Sequence, residues 1–297
     1  MQALFIGHAY IDITFLADDM PEGDEKTLAE DYAVSFGGNA VTAAFACAEL
    51  GIVPDLLCSM ADDWLARMFL DMAAKYRISV HHRKVRESSL SFIRPKDGKR
   101  AIVRCRDADY LHPYPTLNLG ACRALHVDGH QPDAAIHYAR LFREAGILTS
   151  LDGGTFRETT PELLRHIDIA VVSELFAEQI ASSPGKALED LKKYGCKIPA
   201  VTLGSEGLLY RDEWDEEVHM PALSVPAGSV VDTNGAGDIF HGAYVYSYLA
   251  TPEKTWEQHF QFARAASAHA IQHLGNEASL PRLIDIEIVQ RKFPPRL

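Results

Sequence analysis

Cysteine is scarce in this chain. The five thiols, Cys47, Cys58, Cys105, Cys122 and Cys196, are scattered, odd in number and never in C-x-x-C spacing. That pattern argues against a zinc site and fits buried or incidental cysteines in a reducing compartment. Basic residues are also in short supply, 29 Lys and Arg against 41 Asp and Glu, for a formal net charge of −12. A nucleic-acid surface needs a basic footprint, so nucleic acid is not an expected partner. Nucleotides stay open, because a local site can be positive inside an acidic protein. No run approaches the ~18 apolar residues of a membrane span. The opening stretch MQALFIGHAYIDITFLADDM has no basic n-region and meets His8 and Asp12 early. It reads as a strand, not a signal peptide, and predicts a cytoplasmic protein with no membrane partner. Two glycine fingerprints are missing as well. No G-x-x-x-x-G-K-[ST] occurs, and a G-x-G-x-x-G starting at Gly235 would need its third glycine at Phe240, late in the chain. No internal repeat, low-complexity tract or clear linker is found.

What remains is a chain of 297 residues, 47% hydrophobic, that can build a sizeable core. Short apolar runs alternate with longer helical stretches. ALFIG, VPDLLCSM, RALHVDG, ILTSLDGG, DIAVVS and IPAVTLG read as strands. NAVTAAFACAELG, stopping at Gly51, and DDWLARMFLDMAAKYR, acidic at its start and basic at its end, read as helices, as do DAAIHYARLFREAG and PELLRHI. This alternation predicts a parallel sheet covered on both faces. Residues 24–36 and 88–106 break it, the second as a β-hairpin around Asp97 and Gly98. Such strands form either a small sheet standing off the main one as a lid or an antiparallel edge of the main sheet. A single domain over 1–297, with a lid subdomain at roughly 13–36 and 88–106, fits best.

The segment DTNGAGDIFHG at 232–242 carries the chemistry. Gly235 and Gly237 lack Cβ atoms, so their amides can approach a ligand closely. The apolar run that follows reads as a buried helix, and unpaired amides at a helix start suit a phosphate. Asp238 directly after them would repel a phosphate, so its place demands a reason. A general base for a hydroxyl nucleophile supplies one, and positioned bases contribute roughly 10²–10⁴-fold. On spacing alone the alternatives are phosphoryl transfer, a capped turn, or another anion site.

VVDTNGAGDIFHGAY closely resembles the C-terminal signature of the ribokinase-like (PfkB) sugar kinases, and SFGGNAVTAAFACAELG resembles their N-terminal one. GHAYID, the hairpin and VTLGSEGLLY fall in the family's order, so the resemblance spans nearly the whole chain. It implies an α/β fold, a three-layer αβα sandwich with a mainly parallel central sheet and a small β-sheet lid. It implies a phosphotransferase with an alcohol acceptor, moving the γ-phosphate of ATP to a primary sugar hydroxyl. The sugar would be a ketose or ribose-like, with an acidic group as an option. By this resemblance Asp238 is the catalytic base, and Gly235, Ala236 and Gly237 form the anion hole. Asp12 and Gly37, Gly38 and Asn39 contact the sugar. Asn39 also reads as an N-cap of the helix that follows. Thr202, Gly204, Gly207, Asn234 and Gly275 bind nucleotide. The family also implies Mg2+, a monovalent cation such as K+ on backbone oxygens around Asp232 and Thr233, and a homodimer through the lids.

The chain departs from the family in places. Ser173 and Phe176 stand where Asn and Glu are usual, which leaves Glu174 and Glu178 to meet magnesium through water. Ser173 resembles the ketohexokinase and sulfofructose kinase branch. Asn234 replaces the more usual threonine. Lys26, Arg104, Arg106 and His130 suggest an anionic group on the substrate, or a charged solvent-facing lid. His269 and His273 stand at i, i+4 without a third metal ligand. Two other functions compete: a nucleoside kinase stacking a base on Tyr10, Phe15 or Phe92, and a sugar-sensing protein on the same scaffold.

Overall fold

The computed structural model describes residues 2–96 and 98–296, so Asp97 of the expected hairpin tip lies outside the described residues. In chain order the strands are β1 (Ala3–Gly7), β2 (Tyr10–Leu16), β3 (Asp31–Gly37), β4 (Asp55–Met60), β5 (Ser79–Lys84), β6 (Ser89–Lys96), β7 (Lys99–Cys105), β8 (Ala124–Val127), β9 (Leu148–Gly153), β10 (Ile169–Ser173), β11 (Ile198–Thr202), β12 (Leu208–Arg211) and β13 (Glu217–Met220). The helices are α1 (Asn39–Glu49), α2 (Trp64–Lys75), α3 (Pro132–Glu144), α4 (Thr160–Leu164), α5 (Glu174–Ile180), α6 (Pro184–Tyr194), α7 (Ala236–Ala250), α8 (Trp256–Ala270) and α9 (Leu283–Lys292).

The main sheet has the order β13-β12-β11-β10-β9-β8-β1-β4-β5, parallel from β5 to β11 and closed by the antiparallel hairpin β12–β13. Alternate strand residues feed two cores, as the pleat requires. Phe5, Leu56, Ala124, Ile169 and Ala200 pack with α1, α2, α7, α8 and α9. Leu4, Ile6, Leu125, Val127, Leu151 and Val172 pack with α3, α4, α5 and α6. The result is a helix–sheet–helix sandwich. The central strands are buried on both faces and largely apolar, and the polar side chains they do carry, such as His126 and Ser150, pair with each other inside.

A second sheet, β3-β2-β6-β7, stands apart from the first. The antiparallel strands are therefore not an edge of the main sheet. The opening 20 residues were expected to form one strand. They form two, because the chain leaves the main sheet after Gly7 and enters the small sheet at Tyr10. Residues 17–30 are irregular, and strand structure resumes only at Asp31.

Helices α1 and α7 pack closely. A Cβ on Gly242 would meet the Ala43 carbonyl oxygen at 2.2 Å and the Ala46 Cβ at 2.9 Å, so only glycine allows the approach. This contact brings the two helix starts to the same end of the sandwich, at the carboxyl ends of β1, β8 and β9, where open α/β sheets hold ligands.

Candidate active site

Helix α7 starts on Gly235, which has φ 71° and no side-chain cap. A Cβ there would lie 2.3 Å from Asn276 Oδ1. Gly237 has nothing within 4 Å of where a Cβ would stand, so its backbone faces open space. The first intrahelical bond is donated by Ile239 to the Gly235 carbonyl at 2.8 Å. No described residue accepts from the amides of Gly235, Ala236 and Gly237. The first turn of a 15-residue helix is thus open to a ligand.

Asp238 sits in that turn at the floor of a crowded cleft, partly accessible and with no donor among the described residues. Burial raises its pKa, and Asp152 raises it further, against a smaller lowering by Arg100. Asp152 ends β9. It accepts from Asn39 Nδ2 at 3.1 Å and stands 3.6 Å from His241 Nε2. Its own pKa is raised by burial. Burial also holds His241 down at about 3, so that imidazole is neutral and does not offset the two acids.

Asp12 is buried on β2 and accepts from Asn276 Nδ2 at 3.1 Å and from Asn234 Nδ2 at 3.5 Å. Asn276 Nδ2 also donates to the Phe36 carbonyl at 2.8 Å, and its Oδ1 accepts from Asn234 at 3.2 Å. A Cβ on Gly37 would fall 2.3 Å from the Asp12 carboxylate, so the glycine makes room for the acid. Gly38 caps α1, and Asn39 is the first helical residue. The expectation of Asn39 as an N-cap is corrected: its side chain reaches across to Asp152.

Asn234 was expected with the nucleotide. Its side chain instead joins Asp12 and Asn276, and its amide donates to Asp232 Oδ1 at 2.8 Å. Asp232 is buried and also accepts from the Gly275 amide at 3.2 Å. Asp232 thereby ties the 232–235 loop to the 275 turn. The lid touches this loop too. Arg100 donates to the Thr233 carbonyl at 3.4 Å, and Thr233 Oγ1 donates to the Gly98 carbonyl at 3.4 Å. Thr202 ends β11 and donates to the Val172 carbonyl at 3.3 Å. Gly204 opens the following turn with free space around it. A Cβ on Gly207 would strike the Met220 carbonyl oxygen at 2.1 Å, so that glycine serves close packing.

Two expectations are not gathered into the cleft. Lys26 is exposed in the irregular 17–30 stretch. Glu174 and Glu178 are exposed on α5, whose start Ser173 caps by accepting from the Phe176 amide at 3.1 Å, while Phe176 is buried in the core. The rings of His269 and His273 lie 4.3 Å apart, tilted by 34°, and no group of three or more His, Cys, Asp or Glu is arranged for a metal among the described residues.

Residue-level reading missed Asp128, Asp152, Arg157 and Asn276. Both aspartates sit at strand ends directly before glycine, in VDG and LDGG, and that position was a usable signal. Asn276 carried no signal, since its partners Ser35, Asp12 and Phe36 lie 240 or more residues away.

The pattern of the pfkB family carbohydrate kinases matches residues 2–283. The chain belongs to that family. As a pfkB-family carbohydrate kinase it is a phosphotransferase acting on a hydroxyl group. It is 22% identical over 306 residues to a mouse (Mus musculus) ribokinase, covering 95% of this chain and 93% of the relative. It is 26% identical over 296 residues to an ATP-dependent ribose-1-phosphate kinase of Halopiger xanaduensis, covering 90% and 91%. A solved structure of a putative ribokinase from Agrobacterium tumefaciens superposes with a TM-score of 0.88 at 25% identity, over 98% of this chain and 97% of that one.

Proposed function

We propose that this kinase transfers the γ-phosphate of ATP to a primary hydroxyl of a ketose- or ribose-like sugar. The observation that carries the reading is a carboxylate without a donor, Asp238, in the same helical turn as three amides without an acceptor. The step balances as follows. The sugar hydroxyl gives its proton to Asp238. Its oxygen bonds the γ-phosphorus as the bond to the β–γ bridging oxygen breaks, and ADP leaves. The amides of Gly235, Ala236 and Gly237 donate to the oxygens on which charge gathers. The raised pKa of Asp238 suits a group that must hold this proton. Asp12, fixed by Asn276, accepts from two neighbouring sugar hydroxyls and so sets which hydroxyl meets the base.

Magnesium fits as an ion carried on the triphosphate, because Mg2+ keeps several waters and needs few protein ligands; Glu174 and Glu178, exposed on α5 and not gathered into the cleft, are not needed to hold it. When bound it supplies charge neutralisation. A monovalent cation finds less support. Both Asp232 carboxylate oxygens and the Thr233 carbonyl already have donors, and no step is routed through it.

The outer face of the lid suits a homodimer. Val34, Ile13, Phe92 and Val103 form one row by register, and Val103 and Tyr32 are each 65% exposed. All five cysteines are free, which suits the reducing cytoplasm.

The test is ADP release from MgATP over a panel of neutral and charged ketoses and aldoses. Turnover with one sugar, abolished in Asp238→Asn, supports the reading. Sugar binding without turnover in the wild type sinks it.

A further inference from the structure

The small sheet lays a polar row over the cleft. Ser35 faces Asp12 across β3 and β2, Asp12 faces Ser91 across β2 and β6, and Ser91 faces Arg104 across β6 and β7. Directly opposed residues share a face, so Arg104 lies on the same side as the sugar acid. With a period of two, Arg100 shares that side, and Arg106 follows directly after the end of β7. Arg100 reaches Thr233 beside the phosphate loop. Arg104 stands four residues further, roughly 13 Å along the strand at ~3.3 Å per residue.

Contacts trace the wall from there. The Arg104 guanidinium lies 5.4 Å over the Tyr10 ring. Tyr10 is 4.9 Å from His8, and His8 is 6.3 Å from His130, ring to ring. Arg157 Nη2 stands 3.3 Å from both ring nitrogens of His130. Arg157 is half-buried and, like Arg104 and Arg106, has no carboxylate ion pair among the described residues. Arg83 shows the ordinary alternative, a fork on Asp133 with both bonds at 2.7 Å.

The acids that face this wall are engaged elsewhere. Asp128 accepts from the amides of His8, Ala40 and His130. Asp107 accepts from the amides of Arg86, Glu87 and Asp109. Burial and the neighbouring arginines hold His8 and His130 at about 3, so arginine alone carries the positive charge of this wall.

We propose that the sugar carries a fixed compact anion on the carbon remote from the accepting hydroxyl, and that Arg157 holds it, backed by His130 and met by Arg104 and Arg106 from the lid. The inference rests on the sugar-kinase reading above and narrows its substrate class to phospho-, sulfo- or carboxy-sugars. A guanidinium fork matches the oxygens of all three groups. Seating the anion away from the amides of α7 leaves those amides to the γ-phosphate.

The experiment compares ribose and fructose with their phosphomonoester, sulfonate and carboxylate counterparts, reading ADP release. One charged series should exceed its neutral parent in kcat/KM by roughly 10- to 100-fold, the scale of hydrogen bonds to a charged group. Which series wins identifies the anion. Arg157→Gln should shrink that ratio by about tenfold or more, and Arg157→Lys, which keeps the charge without the fork, should restore part of it. Arg104→Gln, on an exposed lid position, gives the same readout should Arg157→Gln fail to fold. A neutral parent preferred over every charged counterpart overturns this inference and leaves the kinase reading standing, as does a ratio unchanged in both Arg157→Gln and Arg104→Gln. No turnover with any sugar overturns both.

Discussion

Helices α1 and α7 start on the same device, a glycine in the left-handed region without a side-chain cap: Gly38 at φ 103° and Gly235 at φ 71°. Both starts face the same cleft. They differ in what the rest of the chain puts opposite them. At α1 the Ala40 amide donates to Asp128 Oδ2 at 3.3 Å, and Asn39 is held by Asp152. At α7 the first amides meet no protein acceptor, and the acid belongs to the helix itself as Asp238. A helix start is a potential anion site in both places. An internal carboxylate fills one, and the other stays open, as the proposed phosphate site requires.

The sharpest way to break this contrast is Asp238→Asn. Turnover should fall roughly 10²–10⁴-fold while ATP affinity by calorimetry changes little. Near-normal turnover would make the open start of α7 no more catalytic than the filled one of α1. The two capping glycines give the next largest effects. Gly38→Ala puts a Cβ 1.9 Å from the His8 backbone oxygen, whereas Gly235→Ala meets Asn276 Oδ1, a side chain, at 2.3 Å. Each also forces alanine into the left-handed region, at roughly 1–2 kcal/mol. Gly38→Ala should therefore lose more thermal stability. Gly235→Ala should stay folded and lose turnover, because it displaces the residue that fixes Asp12. Equal melting temperatures for the two variants would contradict the assignment. Smaller again is Asp128→Asn. The new NH2 would face backbone amides that the carboxylate accepts from, which should cost about 1–3 kcal/mol in urea denaturation. A variant as stable as wild type would show that α1 does not need its internal acceptor.

The layers, the parallel sheet and the glycine-led start of a buried helix at 235–238 were readable in the sequence because strand–helix alternation and glycine spacing are local signals. The stand-off of the small sheet was readable only as one of two options, since an antiparallel strand looks the same in either sheet. The partners of Asp12 and Asp238 were not readable. Asn276 and Asp152 reach them through the fold, from 264 residues away in the case of Asn276. Asn234 shows the limit well. Its place in the glycine loop was readable from the local motif, whereas the direction of its side chain, toward Asp12 and Asn276, depends on a loop that folds back from the far end of the chain.

Asp152 connects the two helix starts, and the smallest predicted effect isolates its role. Asp238 works as a base only when ionised, so kcat/KM should fall as pH drops through its raised pKa. Burial is the first cause of that rise and the charge of Asp152 the second. Asp152→Asn removes one negative charge and keeps the shape. The ionised form of Asp238 then becomes easier to reach, its pKa falls, and the acid limb of the profile moves to lower pH. Asn39 can still pair with the new amide, so the start of α1 should hold. A limb that stays in place would mean that burial alone sets the pKa of Asp238. A limb that moves to higher pH would mean that Asp152 is protonated in the working enzyme and donates to the base instead of repelling it.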